Sequence, residues 1–178
     1  MLMGFELATS RRLSPTIGFV KNASQIDDKD KAIIDILVSN SKTTTTEIAN
    51  RLSISDVATR RRIKKLEDGG VIRFYTTVVD PYKLGYNAVV ELFVEVDPKH
   101  IESVAKELSE KDFTTNVITV TGQYSVIAEI WVRNHNELVK AVQEVGQIEG
   151  VRSIVPVVVT SVYKINGINL KEKERRTK

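Results

Sequence analysis

The stretch TTTEIANRLSISDVATRRRIKKL, residues 44–66, decides the fold of the first third of the chain. Thr44 is followed three residues later by Glu47, and this pair predicts a capping box at the start of a helix. An apolar stripe at helical spacing follows, made by Ile48, Ala49 and Leu52. The stripe ends at Ser53, and Ser55 is placed to cap a second helix. The stretch therefore predicts two short helices joined by a tight turn.

The second helix is predicted to have one apolar side and one basic side. At about 100° per residue, one side carries Thr59, Ile63 and Leu66, which should pack on the preceding helix. The opposite side carries Val57, Ala58, Arg61 and Lys65, and the flanks carry Arg60, Arg62 and Lys64. Small apolar side chains can contact thymine methyl groups, and an arginine can bind guanine through two hydrogen bonds. The flanking cations suit phosphates, which position a protein on DNA.

These residues predict a recognition helix for the DNA major groove. The alternative is a solvated basic face without a ligand. A capped helix precedes the basic run, and two apolar residues share its exposed side, which favours DNA.

A further helix is predicted before this pair. Asp27 is a plausible N-cap, and a buried stripe follows at Ile33, Ile36 and Leu37. After the basic helix, Asp68-Gly69-Gly70 is a stop signal, and Val71 to Val79 has the alternation and β-branched content of a strand. Three helices, a strand and a linker at residues 80–85 predict a winged helix-turn-helix with a reduced wing.

From Ala88 the pattern changes to strand, helix, strand, strand, helix, strand. Strands are predicted at Ala88–Val96, Asn116–Thr121, Tyr124–Val132 and Val151–Tyr163. Asp97 is the expected N-cap of one helix, and Asn134 with Glu137 the expected capping box of the other. This order predicts a ferredoxin-like βαββαβ sandwich with both helices on one face of an antiparallel sheet, so the fold class is α+β.

One face of the predicted sheet is apolar without a helix to cover it. Alternation places Val89, Phe93, Ile127 and Trp131 on the face opposite the helices. Large apolar side chains grouped on an exposed face are typical of an interface, and Trp and Phe are common anchors there. The sequence predicts a homodimer formed sheet to sheet.

Composition limits the other classes of function. The 178 residues have a net charge of only +3 and no cysteine, so the basic character is local and no thiolate metal site is expected. His100 and His135 are far apart in the sequence, which argues against a zinc site or a catalytic histidine pair. No apolar run has the length of a membrane helix. The prediction is a cytoplasmic protein without enzyme activity, cofactor or metal.

The order of helix-turn-helix, linker and βαββαβ domain resembles the Lrp/AsnC family, the leucine-responsive and feast/famine transcription regulators. The resemblance runs from Ile26 to about Leu170. Its motifs lie at Ser55, Arg61, Ile63, Leu66-Glu67, Gly70-Val71-Ile72, Tyr75-Thr76, Val79-Asp80-Pro81, Leu84-Gly85 and Thr121-Gly122-Gln123-Tyr124-Ser125.

This resemblance implies a sequence-specific transcriptional regulator that binds double-stranded DNA and forms a homodimer, with tetramers or octamers as further assemblies. It also implies an amino-acid effector in a cleft lined partly by Gly122, Gln123, Tyr124 and Ser125. Two departures stand out. The family's turn usually carries acidic residues, whereas Gln123 and Ser125 are neutral and lose charge pairing with an ammonium group. Ser53 replaces a frequent glycine in the helix-turn-helix turn.

Five segments are expected on this basis. They are an N-terminal extension (1–24), a helix-turn-helix DNA-binding domain (25–71), a linker strand and hinge (72–86), a ferredoxin-like effector-binding and oligomerisation domain (87–166) and a charged tail (167–178). The alternative function is a non-specific architectural DNA-binding protein without effector response. Such binding needs many phosphate contacts, so the net charge of +3 favours the regulator.

Overall fold

The computed structural model describes residues 26–170. They form two compact units, one of residues 26–77 with 164–170 and the other of residues 78–163. The predicted N-terminal extension at 1–24 and residues 171–178 of the predicted tail lie outside the described residues.

The first unit contains three helices, α1 (Asp28–Ser39), α2 (Thr45–Leu52) and α3 (Asp56–Asp68). The predicted capping box of α2 is confirmed, because the Thr44 hydroxyl accepts the N–H of Glu47 and the Glu47 carboxylate accepts the N–H of Thr44 at 2.9 Å. The predicted caps of α1 and α3 are also confirmed. The core of the unit consists of Ile33, Leu37, Ile48 and Leu66, all buried.

The turn between α2 and α3 bends at Ser53, which has φ 51° and ψ 48°. This left-handed conformation costs a residue with a Cβ about 1–2 kcal/mol, and glycine would adopt it more readily. The N–H of Ile54 donates to the carbonyl of Ala49 at 3.1 Å and closes the end of α2. The turn therefore keeps its geometry despite the serine.

The strand predicted at Val71 to Val79 is wrong. Val71 and Ile72 close the end of α3 instead, since their N–H groups donate to the carbonyl of Leu66 at 2.9 and 3.0 Å. Residues 73–80 have no regular secondary structure. A strand needs a neighbour for its backbone groups, and within residues 26–170 no segment pairs with this one. A short 3-10 turn, Tyr82–Leu84, follows.

The second unit is a four-stranded antiparallel sheet with two helices on one face. Its elements in chain order are β1 (Ala88–Val96), α4 (Ile101–Ser109), β2 (Thr114–Thr119), β3 (Val126–Val132), α5 (His135–Gly146) and β4 (Val151–Val158). The strand order is β2-β3-β1-β4. The helices cover a core that includes Leu92, Val104, Ile130 and Val145. The predicted ferredoxin-like sandwich is confirmed.

The helix starts show two differences from the prediction. The Asp97 carboxylate accepts the N–H of Lys99 within a turn, so the N-cap of α4 is His100 rather than Asp97. Asn134 caps α5 as predicted, but the Glu137 carboxylate accepts the N–H of Arg133 and leaves the capping box open.

The strand ends also differ from the prediction. β2 covers Thr114–Thr119 rather than Asn116–Thr121, and β3 begins at Val126 rather than Tyr124. β4 ends at Val158, and a short hairpin of β5 (Lys164–Ile165) and β6 (Ile168–Asn169) follows. Its turn, Asn166-Gly167, has φ values of 47° and 82°. Asn-Gly is the preferred sequence for such a two-residue turn, so this signal was available in the sequence.

Candidate nucleic-acid interface and effector site

The outward side of α3 is as predicted. Val57 is 76% exposed, whereas Thr59 is fully buried on the opposite side. Arg61 and Lys64 are also exposed, and Ala58 is half-buried. An exposed valine next to exposed cations on one helix side is a surface that can contact both base edges and phosphates.

Arg60 pairs with a carboxylate of its own helix and remains accessible. Its Nε donates to the Asp56 carboxylate at 2.7 Å, and its side chain is still 66% exposed. Arg60 lowers the pKa of Asp56, mainly through this hydrogen bond. Exposed ion pairs of this kind contribute little stability, so a DNA phosphate can compete for the guanidinium.

Arg62, also a predicted DNA contact, reaches two carboxylates of the first unit. Its Nη1 lies 2.6 Å from the Asp27 carboxylate and 2.6 Å from the Asp30 carboxylate. Both carboxylates raise the pKa of Arg62. The pKa of Asp27 is lowered, first by the N–H of Asp30 and then by Arg62. Helical periodicity places Arg62 on the flank of α3, but its guanidinium bends back to the carboxylates at the start of α1.

Lys65 lies near a buried carboxylate and is also accessible to solvent. Its Nζ lies 3.6 Å from the Asp30 carboxylate, while its side chain remains 61% exposed. The Asp30 side chain is fully buried, so both cations compensate a charge inside the first unit. The accessible residues of the predicted DNA-contact set on α3 are therefore Val57, Ala58, Arg60, Arg61, Lys64 and Lys65.

The predicted effector turn connects β2 and β3. Gly122 has φ 137°, and a Cβ there would meet nothing within 4 Å, so glycine serves the backbone conformation rather than a tight contact. Gln123 is exposed. Ser125 extends the sheet, since its N–H donates to the carbonyl of Val94 and its carbonyl accepts the N–H of Val120, both at 3.0 Å.

Tyr124 lies on the face of the sheet opposite the helices. Its ring is 5.5 Å from the ring of Phe93 in an edge-to-face arrangement. Residues 124 and 125 precede β3, so the strict alternation of a strand does not fix the direction of the Tyr124 side chain. The structure thus brings together one residue of the predicted effector set and one of the predicted dimer set.

The open sheet face, the face without helices, is apolar along the two central strands. Phe93 lies opposite Ile127, and Val89 opposite Trp131. Val89 is only 6% exposed within its own chain, so it offers little area to a partner. The other three residues are half-buried.

The edge strands extend the apolar area of the open sheet face. Ile118 of β2 pairs with Ile127, and Val155 of β4 pairs with Phe93. These two side chains and Val157 are 40–44% exposed. They were missed because the sequence does not tell which strands become neighbours. The valine-rich run of β4 was the available signal.

The comparisons with known proteins agree with both units. Residues 26–73 match the family model for winged helix-turn-helix DNA-binding domains. Residues 87–168 match the model for the Lrp/AsnC ligand binding domain. The HTH-type transcriptional regulator LrpA of Pyrococcus horikoshii is 36% identical over 140 residues, which cover 78% of this chain and 99% of the relative. The chain belongs to the Lrp/AsnC family.

Further relatives support the membership. The regulator FL11 of Pyrococcus furiosus is 34% identical over 139 residues, covering 78% of this chain and 92% of FL11. The solved structure of Escherichia coli AsnC has a TM-score of 0.71 at 23% identity, with 80% of this chain and 97% of AsnC covered, and shows the shared fold.

As an Lrp/AsnC protein, the chain is a DNA-binding transcriptional regulator with a ligand-binding domain, in a non-enzymatic family. Across residues 26–170, no group of His, Asp and Glu side chains could hold a metal ion. Within the same range, no helix is long and apolar enough to cross a membrane.

Proposed function

We propose that this regulator binds double-stranded DNA as a homodimer, reads bases with the outward side of α3, and responds to a small effector at residues 122–125. The observation that carries the DNA contact is the surface of α3. Val57 is 76% exposed beside Arg61, while Thr59 and Leu66 on the opposite side are buried. An apolar side chain left in water next to cations suits a groove that presents both methyl groups and acceptors.

Within this surface, the residues have different roles. Arg61 lies at the centre and can bind guanine through two hydrogen bonds, and Val57 and Ala58 can contact thymine methyl groups. Arg60, Lys64 and Lys65 lie where they can bind phosphates, which adds affinity without base discrimination.

The open sheet face supports the homodimer. Phe93, Ile127 and Trp131 combine with exposed valines of the edge strand, and such an apolar area in water favours association. Two copies of α3 related by a two-fold axis would read half-sites about one helical turn apart or a multiple of it. Tetramers or octamers would be further assemblies of such dimers.

The turn at residues 122–125 supports an effector with a neutral polar group. Gln123 is exposed at its tip, and its amide can hydrogen-bond an amino acid, such as the side-chain amide of glutamine, without charge pairing. Because the regulator acts on DNA, we propose that it works in the cytoplasm.

Competition binding tests the role of α3. We expect Arg61→Ala to lose about 1–3 kcal/mol of discrimination between cognate and scrambled DNA. The matched control is Lys64→Ala, which should weaken both DNAs to a similar extent. Equal losses on both DNAs for Arg61→Ala would refute the base contact and favour a non-specific architectural protein.

Footprinting should find two half-sites per dimer, and a single half-site bound at full affinity by a monomer would contradict the proposal.

Sedimentation analysis tests the dimer. We expect Ile127→Asp to raise the dimer dissociation constant by at least a hundredfold, because it buries a further unpaired charge in the interface. The control is Val139→Asp, which changes an exposed valine of α5. If both variants associate like the wild type, the open sheet face is not the interface.

A further inference from the structure

Two carboxylates lie opposite each other near the middle of the open sheet face. Glu91 of β1 pairs in register with Glu129 of β3. The pair lies between two apolar rows, Phe93 with Ile127 on one side and Val89 with Trp131 on the other. Like charges directly opposite each other destabilise an antiparallel pair. An otherwise apolar contact surface therefore contains a local charge conflict.

The two carboxylates have different surroundings. Oε1 of Glu129 accepts the Thr115 hydroxyl at 2.6 Å and the Trp131 indole N–H at 2.8 Å. Glu91 lies opposite Val157 on its other side, and within residues 26–170 its carboxylate accepts no hydrogen bond. Burial raises the pKa of Glu91, and the charge of Glu129 raises it further. Glu91 therefore lacks the two hydrogen-bond donors that hold Glu129.

The other charged residues of this face contact partners other than Glu91. Glu95 accepts the Ser153 hydroxyl at 2.9 Å. Arg133 lies over the Tyr86 ring at 4.4 Å and 3.8 Å from Glu137. The neighbouring residues of β4 are Val155 and Val157, which do not ionise, and β2 carries no charged residue. No cation from the strands around it compensates Glu91.

We propose that Glu91 takes up a proton when two copies pair through the open sheet face, so that the regulator's dimer is tighter at lower pH. This inference rests on the proposed dimer. Pairing removes the remaining water from Glu91, and an unpaired charge is far costlier to bury than a neutral acid. The protonated Glu91 can also donate a hydrogen bond to Glu129, which turns the charge conflict into a contact.

The sign follows from linkage. The paired state favours the neutral acid, so its extra stability is complete below the pKa of Glu91 in the free copy. It is lost as the pH rises through the higher pKa of the paired state. The window lies above the ordinary value of 4.5. With one proton taken up per copy, the dissociation constant should rise by up to about 100-fold per pH unit within the window.

The experiment is dilution of donor- and acceptor-labelled full-length chains, down to picomolar concentration, between pH 5.5 and 8. We expect the wild-type dissociation constant to rise at least tenfold across this range. Glu91→Gln imitates the neutral acid, so it should pair tightly at pH 8 with most of the dependence removed. Glu95→Gln, a carboxylate of the same strand and face, should keep the wild-type slope. His100 and His135, at the starts of the helices on the opposite face, remain in every variant.

The outcomes separate the two proposals. A wild-type dimer that Ile127→Asp disrupts but whose dissociation constant is independent of pH would overturn the role of Glu91 and leave the interface intact. The same holds if Glu91→Gln keeps the full slope. A dimer that Ile127→Asp does not disrupt would overturn the interface itself.

Discussion

Arg62→Ala should destabilise the first unit while leaving base discrimination nearly unchanged. The Arg62 guanidinium is within 2.6 Å of two carboxylates, and the Asp30 side chain is fully buried. Removing one partner of a buried ion pair typically costs about 3–5 kcal/mol, because the other charge is left uncompensated. Lys65 remains 3.6 Å from Asp30, and the Asp27 side chain is 54% exposed. These two facts place the expected loss at or just below the lower limit of that range, at about 2–3 kcal/mol.

Urea unfolding with two probes measures this loss. The single tryptophan, Trp131, belongs to the second unit, so its fluorescence is an internal control, and far-ultraviolet circular dichroism adds the helices of the first unit. Arg61→Ala is the matched control. Arg61 is adjacent to Arg62 but exposed, so its substitution should change the free energy of unfolding by no more than about 0.5 kcal/mol. If Arg62→Ala leaves stability unchanged but weakens binding to cognate and scrambled DNA alike, the ion pair is not its role and the phosphate contact predicted from its flank position is restored.

Three further predictions concern other positions. Ser53→Gly should stabilise the first unit by about 0.5–1 kcal/mol in urea unfolding, because it relieves the left-handed serine; a loss of stability would contradict this account of the turn. In calorimetry with the twenty amino acids at millimolar concentration, the wild type should bind few or none, and Gln123→Asp should improve binding of an ammonium group. If the wild type binds several amino acids tightly and Gln123→Asp weakens that binding, this role of Gln123 is refuted. The N–H groups of Asp30 and Thr44 hold the pKa values of Asp27 and Glu47 below their ordinary 3.8 and 4.5. The stabilisation from these two carboxylates is therefore present above the ordinary values and is lost as the pH falls through the lowered pKa values. Urea midpoints that stay constant from pH 7 to 3 would contradict this.

Local signals determined the parts of the fold that were predicted correctly. The caps at Asp27, Thr44 and Ser55 were predictable because each side-chain oxygen accepts an N–H only three residues further along the chain. Alternation along β1 was sufficient to place Leu92 in the core and Phe93 outside it. The strand predicted after α3 was wrong because its formation depends on a long-range interaction. Its composition favours a strand, but strand formation depends on a neighbouring backbone that no sequence window contains.

In the candidate site as well, the features set by local sequence were predicted and those set by long-range contacts were not. Helical periodicity gives the direction in which a side chain leaves the helix, and this was sufficient for Val57, Arg61 and Thr59. It does not give the end point of a long side chain. Arg62 leaves the flank of α3 and reaches Asp27, 35 residues earlier in the chain, because a carboxylate there and the buried Asp30 attract it more strongly than water does. Two adjacent arginines with the same local sequence signal are thereby separated, one available to DNA and the other part of the first unit's own structure.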